Sequence, residues 1–467
     1  MDSSLSDEMT TMTTKPRVII HKTDARKPAH NDFVFRQDSV RFVSHNGYLK
    51  NLRTVALEKF KTLPIPSVKD GEAWRRTDLN HFHPDKFQMV DPDNCQGLPE
   101  IPEDLRKPVV AAAHAGQISL SPGCVEAWMS PELSAQGVVF TDLITAEREH
   151  PQLLEKILGK LVCAEDGKFA ALVEAFAQTG ALLYVPRGVH IGLPLHVLLW
   201  SVGENIVNPA HIAVVLEDGA AATFVLETIS PPGGNDESLN ALVLEVLVGE
   251  NAHLNFVELQ SLGQKVWNFS HERVEVAKDG SVDWIFGAAG SYLTKSFLNL
   301  ELTGQGSSGK MSGFYFADGV QHLDHDTRQN HLAPNTTSDL LFKGALLGES
   351  RSVWRGMIYV APGASGADGY QSNRNLVLDR RARADSMPGL EINTDDVRCT
   401  HGATVGQLDD DQIFYLQSRG IARKEAEQLV VKGFFEPVLQ RIPFEGVRQR
   451  FEQLIVKKMN YLNEQNY

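Results

Sequence analysis

Residues 217–229 read EDGAAATFVLETI, an acidic–glycine turn followed by an aliphatic and β-branched run, with Phe224 five positions after Gly219. Such a run bounded by turn residues is the pattern of a strand. The unit recurs. Gly249-Glu250-Asn251 precedes Phe256, Lys278-Asp279-Gly280 precedes Trp284, and Ser307-Ser308-Gly309 precedes Phe314, so that successive aromatics are 32, 28 and 30 residues apart. Self-similarity at a period of about 20–50 residues indicates a solenoid or a propeller. These repeats hold no helical insert and no four-strand blade signature. A β-solenoid is therefore expected, each coil stacking its aromatic on the coil below. A β-sandwich, whose turns fall every ~8–12 residues, accounts less well for the longer period.

Outward from this stretch, strand-like runs such as ALLYVP and LHVLLWSV begin at Gly180. Upstream the pattern is helical. Tyr48, Leu49, Leu52, Val55, Ala56 and Phe60 recur at helical spacing, prolines punctuate residues 64–108, and helical patterns return over 142–158 and 168–178. Downstream, Asp409-Asp410-Asp411 suit a helix N-terminus, and Gly420 the C′ position of the helix QIFYLQSRG. A second helix holds Pro437, and a third carries Phe444, Val447, Phe451, Leu454, Ile455 and Met459 on one stripe. The expected organisation is a flexible extension over 1–30, a mostly helical region over 31–178, the solenoid over 179–402 and a helical C-terminal region over 403–467.

The chain has 467 residues, 42% of them apolar and 22% charged, as in a globular protein. Its 45 basic and 59 acidic side chains give a net charge of −14. That excludes a general nucleic-acid binder, which needs a basic face, and disfavours an anionic membrane surface. No apolar run approaches the ~20 residues of a membrane helix. The N-terminus lacks a basic n-region followed by an apolar h-region, and its Asp2, Asp7 and Glu8 do not suit a transit peptide. The four cysteines, Cys95, Cys124, Cys163 and Cys399, form no CxxC pair and no disulfide framework, so a reducing cytoplasm is expected and the first three read as incidental thiols.

Several segments carry chemically suggestive residues. GQGSSGKMSG (304–313) lacks the GxxxxGK[ST] phosphate loop and reads as a solenoid turn. His190 and His196 lack the tight pairing and carboxylate of a cupin-type metal site and read as half-buried strand histidines. His322, Asp324, His325, Asp326 and His331 concentrate ligands suited to zinc or iron(II), but their spacing matches no established motif. A polar turn bonded along the stack fits them better. In DDVRCTHGATVG (395–406), Cys399 and His401 are two residues apart, so in a strand both face the same way and make half of a tetrahedral site. By residue type alone a turn with a buried thiol is the slightly favoured reading of this segment.

The C-terminal half resembles the SufB/SufD family of iron–sulfur cluster assembly scaffolds. The resemblance rests on QNHLAPNTTSDLLFKGALL (329–347), GMIYVAPGASGADGYQSNRNLVLDRRARADSMPGLEI (356–392) and DDVRCTHGATVGQLDDDQIFYLQSRGI (395–421), and it extends over about 40–460. GEAWRRTDL (71–79) and CTHGATVG are similar to the forms found in SufD rather than SufB. The resemblance implies a right-handed parallel β-helix flanked by N- and C-terminal helical regions, and a non-catalytic scaffold that binds no ATP itself. It implies partnership with a SufB-like subunit through the β-helix ends, and with a SufC-like ABC ATPase on the C-terminal helices. His401 matches a histidine implicated in holding iron or the nascent cluster shared with SufB, and Cys399 matches a thiol often beside it. Two other classes remain open: a β-solenoid acting on polysaccharide, and a homodimeric solenoid that buffers metal.

Overall fold

The computed structural model describes residues 32–35, 47–90, 98–177, 179–231, 233–234 and 236–465; the expected extension over 1–30 and Cys95 lie outside them. The N-terminal region carries helices α1 (Gly47–Thr62), α2 (Pro131–Ala135), α3 (Leu143–Glu149), α4 (Pro151–Glu155) and α5 (Lys168–Phe176). It also holds four strands that the helical periodicity does not reveal, β1 (Gln88–Met89), β2 (Gly116–Ser121), β3 (Cys124–Met129) and β4 (Val139–Asp142).

Sixteen strands then alternate between two sheets as eight coils. In the first sheet are β5 (Thr179–Val185), β7 (Ile206–Leu216), β9 (Ser238–Val248), β11 (Val266–Val276), β13 (Leu293–Leu302), β15 (His322–His331), β17 (Arg351–Val360) and β19 (Arg383–Ile392). The second holds β6 (Leu195–Trp200), β8 (Ala221–Ile229), β10 (His253–Ser261), β12 (Ser281–Ala288), β14 (Ser308–Ala317), β16 (Thr337–Leu346), β18 (Asp368–Val377) and β20 (Arg398–Gln407). All neighbours in this body pair in parallel, which is the β-solenoid expected from the period.

From the bend before β8 onward, a left-handed residue at each bend from the first sheet to the second sets the register. These are Gly219, Asn251, Asp279, Gly306, Asn335, Gly366 and Asp396, with φ between 53° and 73°. Glycine takes this conformation at no steric cost, and Asn and Asp tolerate it best among the other residues. Five residues on, Phe224, Phe256 and Trp284 pair in register and stack inside the solenoid, with ring centroids 5.7 and 5.3 Å apart. Phe314 does not join them. The fourth bend turns at Gly306, so Met311 occupies the inward position and Phe314 pairs with Gly287 on the outer surface. There it packs against Phe435 and Phe451 of the C-terminal helices.

Helices cover both outer faces. α1 and α5 bury Ala56, Phe60, Phe169 and Phe176 against Ala241, Val243, Trp267 and Phe269 of the first sheet. The loop after α4 is fastened by Glu245, whose carboxylate accepts from the backbone N–H groups of Gly159, Lys160, Leu161 and Val162 and from His211. On the second sheet lie α7 (Arg423–Leu439) and α8 (Glu445–Gln465), and α6 (Asp410–Ser418) packs against α7. Asp409 caps α6, and Gly420 follows it with φ of 87°. Val447, Phe451, Ile455 and Met459 bury against Val225, Val257 and Ile285. Two ion pairs lock α8 in place, Arg450 with Glu227 and buried Lys458 with Asp318 at 2.7 Å.

Among the described residues no helix is long and apolar enough to cross a membrane. Cys124 is disulfide-bonded, which corrects its reading as an incidental thiol; Cys163 and Cys399 are free.

Candidate functional site at the last coil

The two ends of the solenoid differ. At the N-terminal end each sheet closes with an antiparallel strand, β4 beside β5 and β3 beside β2. At the C-terminal end the sheets finish with β19 and β20, ten residues each, and among the described residues no strand pairs along their outer edges. Positions that face inward in earlier coils are exposed here. Leu390, Ile392 and Val405, which continue columns buried lower in the stack, are 37%, 40% and 50% exposed. An open edge with unpaired N–H and C=O groups is a template for another chain.

Cys399 and His401 lie on β20 and, as expected for a strand, share its inward face. His401 pairs with Gln371, which pairs with Leu340, so it is the last member of the column Phe224–Phe256–Trp284–Met311–Leu340–Gln371–His401. Every lower member of that column is buried, and His401 is exposed. The bend at Asp396 places it, five residues before His401, just as Gly219 places Phe224. Cys399 stands above Gly369 and is half-buried. Burial pushes its thiol pKa up and the nearby Asp368 carboxylate adds to that, against a backbone hydrogen bond from Gly369 that pulls it down. A metal ion binding there would have to displace the thiol proton.

Beneath this end the interior turns polar. Gln371, fully buried, donates to the Gly389 carbonyl at 2.9 Å, and its Oε1 has no hydrogen-bond partner. Tyr315 Oη donates to Asn375 Oδ1 at 2.5 Å, and Asn375 donates to Asn373 at 2.6 Å. Among the described residues no three His, Cys, Asp or Glu side chains converge closely enough to hold a metal ion. The pair on β20 is a half-site.

The other histidine-rich segments fall elsewhere. Those of 322–331 lie on one strand, β15, rather than in a turn. Asp324 bonds Lys295 at 2.9 Å on the coil below and also Thr77, while Asp326 pairs with Arg355 on the coil above. His325 points inward against Phe286 and Tyr315. His190 is exposed and His196 is fully buried beside Gln117 and Glu227, so neither is half-buried. Burial lowers the His196 pKa to about 3. Gly306, within the glycine-rich segment 304–313, makes the bend before β14.

The chain matches the family model described as SUF system FeS cluster assembly, SufBD core domain, over residues 199–434, and the SufBD protein N-terminal region over 33–197. It is 30% identical over 418 residues to the iron-sulfur cluster assembly protein SufD of Bacillus subtilis, covering 88% of this chain and 94% of that one. A SufBD family protein of Staphylococcus epidermidis is 32% identical over 317 residues, 68% of either chain. Another, from Staphylococcus saprophyticus, is 28% identical over 408 residues, 85% of this chain and 86% of the relative. With an eight-coil solenoid between helical termini and these matches along most of its length, the chain belongs to the SufBD family of iron–sulfur cluster assembly proteins and is a SufD homologue.

Proposed function

We propose that this chain is a non-catalytic, cytoplasmic scaffold subunit whose open last coil docks a SufB-like subunit, and that His401, with Cys399, offers protein ligands to iron or a nascent cluster at that junction. The observation that carries the reading is an exposed histidine beside a half-buried cysteine, both inward-facing on the last coil. An imidazole and a thiol are soft-to-borderline ligands suited to iron, and a half-site on an open edge is completed by the chain that covers it. The cluster is cargo, held in transit.

The ATPase partner, a SufC-like subunit, is assigned to the C-terminal helices. Supporting this, Phe414 and Tyr415 of α6 are 72% and 58% exposed, and α7 and α8 enclose a groove of about 730 Å³ lined by Leu429, Ile455 and Val456. α8 is also fixed to the solenoid by the Arg450–Glu227 and Lys458–Asp318 pairs, so a pull on the helices reaches the coils. The polysaccharide-cleaving alternative has no support in the family, and a homodimer would use the same open end. The test is anaerobic co-purification with SufB-like and SufC-like subunits. His401→Ala is expected to leave the complex assembled while lowering bound iron and sulfide several-fold. Unchanged iron and sulfide would remove His401 from the site.

A further inference from the structure

We infer that His331, two coils beneath Cys399, is a second protein donor to a metal held at that thiol, the two facing each other across the gap left by Gly369. This rests on the reading of Cys399 as a metal-handling thiol. Ser338, Gly369 and Cys399 occupy one column on three successive coils. A Cβ on Gly369 would stand 3.2 Å from Cys399 Sγ and 3.2 Å from His331 Nε2. Sulfur and nitrogen therefore border the same gap and are separated by at most twice that distance.

The hydrogen bonds fix the tautomer of His331. Thr336 Oγ1 donates to the Ala333 carbonyl at 3.1 Å, so toward His331 Nδ1, 2.8 Å away, it accepts. Nδ1 carries the proton and Nε2 the lone pair. Ser338 Oγ, 2.8 Å from Nε2, then donates to it and itself accepts from Gln329 Nε2 at 2.7 Å, so the whole chain of bonds is consistent. An imidazole whose N–H is held by an oxygen while its other nitrogen offers a lone pair is the arrangement found at metal-ligating histidines. Only a rotatable serine hydroxyl occupies that lone pair. Metal–sulfur and metal–nitrogen bonds of ~2.3 and ~2.0–2.1 Å bring the two donors within about 4.4 Å of each other. A side chain at position 369 would crowd both donors and Ile358 Cγ2; glycine does not.

The test uses the full purified chain under anaerobic conditions with Co(II) as probe, whose thiolate charge-transfer absorption reports sulfur ligation. The wild type is expected to show that band. His331→Gln, which keeps a polar partner for Ser338, is expected to weaken Co(II) binding at least about tenfold and alter the visible bands. Gly369→Ala, which removes no donor, is expected to do the same by filling the gap. Near-UV circular dichroism identifies which variants are folded, and a folded variant of either kind decides. Wild-type affinity and spectrum in a folded variant overturn the inference while leaving Cys399 in place. No thiolate band in the wild type overturns it together with the reading of Cys399 on which it rests.

Discussion

Phe256 is gripped between Phe224 and Trp284 at the centre of the solenoid, fully removed from water. Phe256→Ala is expected to cost ~3–5 kcal/mol, the lost transfer energy plus a cavity the stacked coils cannot close. Urea denaturation checks this as a lowered midpoint at unchanged slope. His401 continues the same column and is exposed, so His401→Ala is expected to change stability by less than ~0.5 kcal/mol, as at other exposed positions. A large loss on melting would mean that His401 holds the coil together rather than serving what docks on it. The first three rungs of this column were legible from aromatics placed after turn residues. The fourth was not, because the small residues of GQGSSG offer several positions for the bend, and a shift of a few residues moves Phe314 to the opposite face. The link from Asp396 to His401 follows the same five-residue rule, yet no aromatic marks it. Its chemistry was visible before its place in the stack was.

Strands β10 and β11 hold the least expected group inside the solenoid, the facing carboxyls of Glu258 and Glu272, both buried. Among neighbouring polar groups, Glu258 accepts from Trp284 Nε1 at 3.1 Å, while neither oxygen of Glu272 has a donor in hydrogen-bond geometry. Burial raises both pKa values, that of Glu272 from its ordinary 4.5 to about 7, with the repulsion between the two adding to that of Glu258. The folded chain thus keeps protons that the unfolded chain releases above pH 4.5, so this pair makes stability fall as pH rises from there, the Glu272 share through about 7. Glu272→Gln is expected to be more stable than wild type at pH 8 and to show no such advantage at pH 4. Equal denaturation midpoints at pH 8 would contradict this. Buried histidines act in the opposite sense. His322, His325 and His331, each lowered by burial from 6.5 to about 4, stay neutral in the fold and cost stability as pH falls through that interval. Alternation of strand residues does not reveal such groups, since an inward glutamate in one coil reads as a polar face. Helix ends were more legible. Asp409 and Gly420 bound α6 because capping is a local matter of side-chain and backbone bonds.

At the scale of the molecule, the asymmetry of the two ends organises everything else. Helices cover both faces and antiparallel strands close the first coil, leaving the C-terminal end as the place where the solenoid's own pattern is unfinished. An unprotected solenoid edge requires a cap or a partner. Which end stays open depended on β3 and β4, short strands set among loops and prolines where no periodicity could reveal them. A charge on the uncapped coil, as in Val405→Lys, is expected to weaken subunit association at least tenfold without changing the melting of the isolated chain, measured by sedimentation. The most direct test of the account is hydrogen exchange of the backbone amides of Arg398–Gln407, with and without the SufB-like subunit. The account predicts strong slowing there on complex formation and no change in Cys124–Met129 at the opposite end. Unchanged exchange along Arg398–Gln407, with protection appearing at Cys124–Met129, would contradict it.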